Sequence, residues 1–190
     1  MGWQRWMVSG VAAAMATMGA TTVAEAGEAE GWIISGGQGA AVTEGTGINF
    51  YNMDQKGYLD YKDRWGANLG WTKGPTGNIE IKRKPGAGTG PLKCGELFAF
   101  KVDNEWIIYG KQNFGINLTS RTKLDDNSYQ WKITKCAAGQ AVQKGAPVSL
   151  TNTKGNDAVV GCKRPAGVNL AWSDDVEVKF GVCVRAKKSL

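Results

Sequence analysis

The 190-residue chain is 42% apolar and 21% charged, which fits one domain with a real core and a short appendage. Its formal net charge is +6 and it has no histidine. That absence excludes a Ser-His-Asp or Cys-His catalytic arrangement, an imidazole zinc site and a histidine pH switch.

Residues 1–26 read as a removable secretory signal. Arg5 supplies the positive start, Val8 to Ala20 is apolar and uncharged, and Ala24-Glu25-Ala26 has the form a signal peptidase accepts. The apolar run is too interrupted and too short for a transmembrane anchor, and no later segment can cross a bilayer as a helix. The mature chain is therefore expected to be soluble and exported, to the extracellular space or a periplasm. In an oxidising compartment Cys94, Cys136, Cys162 and Cys183 favour disulfides over metal, and none belongs to a Cys-x-x-Cys pair. Sequence leaves all three pairings open.

Residues 27–40 form an N-terminal extension, in which Trp32-Ile33-Ile34 is able to add a strand before the glycine run at 36–39. From there the chain repeats itself. Val42-x-x-Gly45-x-x-Ile48-x-Phe50 returns as Leu92-x-x-Gly95-x-x-Phe98-x-Phe100 and as Val142-x-x-Gly145-x-x-Val148-x-Leu150, in steps of 50 residues. The apolar pair at i and i+2 faces one side of a strand. A second motif follows in each copy: Lys62-x-x-x-Gly66-Ala67-Asn68-Leu69, Lys111-x-x-x-Gly115-Ile116-Asn117-Leu118 and Lys163-x-x-x-Gly167-Val168-Asn169-Leu170. Each is preceded by an apolar pair, at Tyr58-Leu59, Ile107-Ile108 and Val159-Val160, which predicts a β-hairpin. An alternating stretch then closes each copy: Ile79 and Ile81; Tyr129, Trp131 and Ile133; Val176, Val178 and Phe180.

Four strands in each of three copies, none able to bury its apolar face alone, must share one core. The pattern over residues 41–190 resembles the β-trefoil superfamily: an all-β fold of three four-stranded repeats of about 50 residues with pseudo-threefold symmetry. The resemblance implies that the first and fourth strands of each repeat form a six-stranded barrel and that the second and third form capping hairpins. It also implies the pairing Cys94–Cys136 and Cys162–Cys183. The Q-x-W signature of ricin-type lectins is absent, since Gln130 and Trp131 are adjacent. A β-prism is the alternative three-unit fold, but its usual lectin motif is missing.

A lectin-like, secreted carbohydrate-binding module without catalysis is the function this resemblance implies, and folds host many functions. Sugars take planar amides or carboxylates on their hydroxyls and an aromatic platform under their C–H faces. The repeated Asn68, Asn117 and Asn169 are candidates, although an asparagine there also serves a strand bend. The first hairpin offers Asp60, Asp63, Arg64, Trp65 and Trp71, with Trp65 hardest to explain as core. The second offers Tyr109, Gln112, Asn113 and Phe114; the third offers Arg164, Trp172, Asp174 and Asp175. No cofactor is expected. The alternative partners are a secreted or cell-surface protein engaging loop 84–92, and a heparin-like polyanion engaging Lys62, Lys111 and Lys163. The basic clusters Lys82-Arg83-Lys84 and Arg185, Lys187, Lys188 read as solvated edges, so no nucleic-acid partner is expected.

Overall fold

The computed structural model describes residues 31–63, 66–112 and 116–185. Residues 1–26, expected above to be a signal peptide, and the candidates Arg64, Trp65, Asn113 and Phe114 lie outside the described residues.

In chain order the strands are β1 (Trp32–Ser35), β2 (Gly45–Asn52), β3 (Gly57–Tyr61), β4 (Leu69–Thr72), β5 (Ile79–Arg83), β6 (Phe98–Val102) and β7 (Glu105–Tyr109). They continue with β8 (Leu118–Arg121), β9 (Trp131–Thr134), β10 (Pro147–Asn152), β11 (Asp157–Gly161), β12 (Leu170–Trp172), β13 (Val176–Lys179) and β14 (Val182–Arg185). Two single 3-10 turns, Asp126–Ser128 and Ser173–Asp175, are the only helical pieces among the described residues. No helix among them is long and apolar enough to cross a membrane.

The fold is all-β, but the β-trefoil expectation requires correction. The architecture is a closed six-stranded antiparallel barrel with additional strands, running β1-β2-β5-β6-β9-β10 and back to β1. The closing stretch expected of the third copy, Val176 to Phe180, does not enter the barrel. It forms a separate two-stranded hairpin, β13–β14. Its place is taken by β1, from the segment read as an extension.

The physical reason lies in the side chains. Trp32 and Ile34 are completely buried, whereas Val178, Phe180, Val182 and Val184 are all exposed. The Trp32 ring meets Phe50 edge-on at 6.3 Å and stacks on Trp71 at 6.0 Å, and its Nε1 donates to the Val159 carbonyl at 2.6 Å. The one ring of the Val176–Phe180 stretch, Phe180, sits fully exposed in the hairpin turn and does not fill that space. Burying an aromatic of this size removes more apolar surface from water than burying a valine, and so contributes more.

The repeat survives in the barrel's register. Ile48, Phe98 and Val148 stand opposite Ile79, Trp131 and Trp32, and Asn52, Val102 and Asn152 stand opposite Trp32, Ile79 and Trp131. The buried residues Val42, Leu92 and Val142 close one end with a ring of backbone bonds: Val42 donates to Val142 at 2.8 Å, Val142 to Leu92 at 2.8 Å, and Leu92 to Val42 at 2.7 Å. Such a ring satisfies amides that a barrel end otherwise leaves unpaired. The interior is filled by Phe50, Phe100 and Trp131, with centroids 5.0–5.1 Å apart in edge contacts.

Hairpins β3–β4, β7–β8 and β11–β12 extend from this barrel. Two disulfides tie the frame. Cys94–Cys136 joins the lead-in to β6 with the end of its neighbour β9, and Cys162–Cys183 fastens β14 to the end of β11. Both are the pairs implied above, although the second holds a free hairpin rather than a barrel strand.

Candidate functional site

The third hairpin and the β13–β14 hairpin enclose a cleft of about 400 Å³. Its polar lining is Asn117, Arg164, Asp174, Asp175 and Arg185; its apolar wall is Pro165, Ala171, Trp172, Val176 and Cys183. The wall continues into a small core of Val160, Cys162 and Ala171 against Val176 and Cys183. The disulfide and two backbone bonds fix the distance between the two sides: the Lys163 amide donates to Gly181 at 2.6 Å and the Cys183 amide donates to Lys163 at 3.0 Å.

Asp157, outside the cleft lining, fixes one rim. Its carboxylate accepts from the Ser173 hydroxyl and, at 2.9 Å, from the Asp174 amide, holding the 3-10 turn that carries Asp174 and Asp175. Arg164 is positioned by its own loop. Its Nη1 donates to the Leu170 carbonyl at 2.9 Å, and its amide donates to Asn169 Oδ1 at 3.1 Å. Asp174, Asp175 and Arg185 are exposed.

Trp172 is the distinctive residue of the cleft. Trp32, Trp71 and Trp131 each donate Nε1 to a carbonyl of a hairpin strand or loop, at 2.6, 2.7 and 2.6 Å. Trp172 is 6% exposed, yet its Nε1 has no partner among the described residues. A buried indole N–H normally finds an acceptor, and leaving it unpaired costs about 1–3 kcal/mol. Tyr109 packs against the same ring at 6.0 Å, and Gly155 lies so close that an added Cβ would stand 3.2 Å from the Trp172 edge.

Of the residues singled out in the sequence, Asn117, Arg164, Trp172, Asp174 and Asp175 line the cleft, and half-buried Tyr109 packs against the Trp172 ring. The repeated asparagines are largely structural. Asn117 Oδ1 accepts from the Gln112 amide at 3.0 Å, as Asn169 Oδ1 does from Arg164, and Asn68 Nδ2 donates to Glu105 at 3.0 Å. Asn68 and Asn169 also take φ of 49° and 58°, a left-handed backbone that asparagine tolerates. Asp60 accepts from Thr76 at 3.4 Å and from the Asn78 amide group, while Asp63 is exposed outside the cleft. Lys62, Lys111 and Lys163 are exposed just beyond β3, β7 and β11. Trp65 and Asn113 lie outside the described residues. No group of three or more potential metal ligands occurs among the described residues.

Two residues escaped the sequence reading. Arg185 was grouped with a solvated tail, but β14 folds it back into the cleft wall. Arg83 was grouped with a solvated edge, and it is buried. Its Nε and Nη2 donate to the Glu96 carboxylate at 2.6 and 2.9 Å, and its guanidinium also reaches the carbonyls of Ala87, Gly88 and Gly90 at 2.8–3.1 Å. Hydrogen bonding to Glu96 raises the Arg83 pKa further above its already high value. Loop 84–92 is thus held from within despite its three glycines.

No family model, curated protein or solved structure matches this chain.

Proposed function

We infer that this protein is an exported, non-catalytic glycan-binding module and that the cleft beneath the β13–β14 hairpin is its sugar site. The observation that carries the reading is the cleft's lining: the buried ring of Trp172, whose Nε1 is unpaired among the described residues, stands beside an amide, two carboxylates and two guanidiniums. That set suits an oligosaccharide. Asp174, Asp175 and Asn117 accept from or donate to vicinal hydroxyls, the arginines donate in a planar fork, and the apolar wall takes a C–H face. The volume of about 400 Å³ is in the range of small-ligand sites. Two disulfides accord with an oxidising compartment. The chain's lack of histidine removes the commonest general base, which favours binding over turnover.

A glycan array probed with the mature chain and with the Asp174→Ala/Arg185→Ala double variant tests this. Both residues are exposed, so the variant should melt within about 2–4 °C of wild type. Retention of a defined glycan set is expected, with at least about tenfold weaker signal from the variant, equivalent to one lost charge-assisted contact. An array without specific signal, or one on which the variant binds equally well, removes the reading.

A further inference from the structure

The tip of the β13–β14 hairpin breaks two rules at once. Lys179 and Val182 pair across a two-residue turn, Phe180-Gly181, with φ of 52° and 75°. Two consecutive positive φ values define the turn type that selects Asn-Gly or Asp-Gly, because a β-carbon and a bulky ring are disfavoured there. A phenylalanine occupies the first position, and it is fully exposed. Val182 and Val184 on one face of the ribbon and Val178 on the other are each 40–42% exposed, so four of the five exposed large apolar residues among the described residues belong to this hairpin. Strain and exposure both oppose phenylalanine here. Backbone outliers and apolar patches of this kind concentrate at functional surfaces.

The surroundings indicate what the ring meets. Lys179 flanks it in sequence, and exposed Lys163 is hydrogen-bonded through its amide to the tip residue Gly181. The one carboxylate on the hairpin, Glu177, is paired with Lys179 at 2.7 Å. The tip projects rather than forming a groove, and the Cys162–Cys183 bond anchors it, so inserting it orders little new chain. An apolar point flanked by two exposed lysines, Lys179 and Lys163, matches the boundary of an anionic bilayer, where long cationic side chains keep their ammonium groups in water.

We propose that the β13–β14 tip is a membrane-docking element: Phe180 and Val182 enter the interface of an anionic lipid surface, and the neighbouring lysines hold its headgroups. This is independent of the sugar site. One aromatic residue alone anchors weakly, so the second signal matters, and each cation near such a surface adds a factor of about five in affinity.

The experiment is vesicle flotation of the mature chain, with phosphatidylcholine alone and with phosphatidylcholine mixed with phosphatidylglycerol. Wild type should float with the mixed vesicles, weakly or not at all with phosphatidylcholine alone, and less as salt is raised. Phe180→Asn places a turn-favouring residue at the tip, so its Tm should be no lower than wild type, yet its partitioning should fall by at least about tenfold. Three results overturn the proposal: wild type that stays with neither vesicle, Phe180→Asn that floats as well as wild type, or a solution dimer that Phe180→Asn dissolves. The last would mean that a second copy of the chain covers the ring.

Discussion

Trp32→Ala is expected to destabilise the protein by about 3–5 kcal/mol, whereas Phe180→Ala is expected to leave stability within about 0.5 kcal/mol or to raise it. The contrast follows from which segment closes the barrel. Trp32 fills the interior between Phe50 and Trp71, and its loss opens a cavity and removes the acceptor-matched Nε1–Val159 bond. Phe180 touches no core and sits on a left-handed backbone. A chain closed by its residues 176–180 would rank the two substitutions the other way. Chemical denaturation of both variants decides the matter, because Cm at constant m reads stability directly.

Arg83→Met should have an effect of similar size. The Arg83 side chain is 4% exposed and that of Glu96 is 13% exposed, so removing the guanidinium leaves a carboxylate largely out of water that, among the described residues, accepts only from the Lys93 amide at 3.0 Å. Breaking one partner of a buried pair typically costs about 3–5 kcal/mol. Three carbonyls of loop 84–92 lose their donor as well. The double variant Arg83→Met/Glu96→Met should recover a substantial part of the loss, since replacing both charges removes the stranded carboxylate. A double-mutant cycle measures that recovery. A coupling below about 0.5 kcal/mol would mean that the loop, and not the ion pair, explains Arg83.

The parts of this molecule that were legible in the sequence are those set by local alternation. Ile48 and Phe50, Phe98 and Phe100, and Val148 and Leu150 announce strands by their spacing, and all six are buried as read. The turn between β11 and β12 was legible from Gly167 and Asn169 in the same way. The choice between β1 and β13 was not. Trp32-x-Ile34 and Val176-x-Val178 have the same period, and only the size of the space beside Phe50 and Trp71 separates them. That space is assembled from residues far apart in the chain.

The same limit applies to the cleft. Trp172 and Asp174 were recognisable by residue type, one as a platform and the other as a hydroxyl partner. Arg185 was not, because it reaches the cleft only after β14 folds back and Cys183 meets Cys162. Arg83 looked like one of three adjacent cations. Alternation along β5 turns it inward, since Ile79, Ile81 and Arg83 share a face while Glu80 and Lys82 take the other. The signal was present in the strand's period, but an arginine is not expected on a buried face until its partner Glu96 is known.

Amide hydrogen exchange on the oxidised chain is the most direct test of this architecture, in which strand β1 completes the barrel and the β13–β14 hairpin remains outside it. Amides of Trp32 to Ser35 should exchange only with global opening, and those of β13 and β14 at least about a hundredfold faster through local opening. Strong protection of Val176 to Lys179 together with rapid exchange at Trp32 to Ser35 would contradict it.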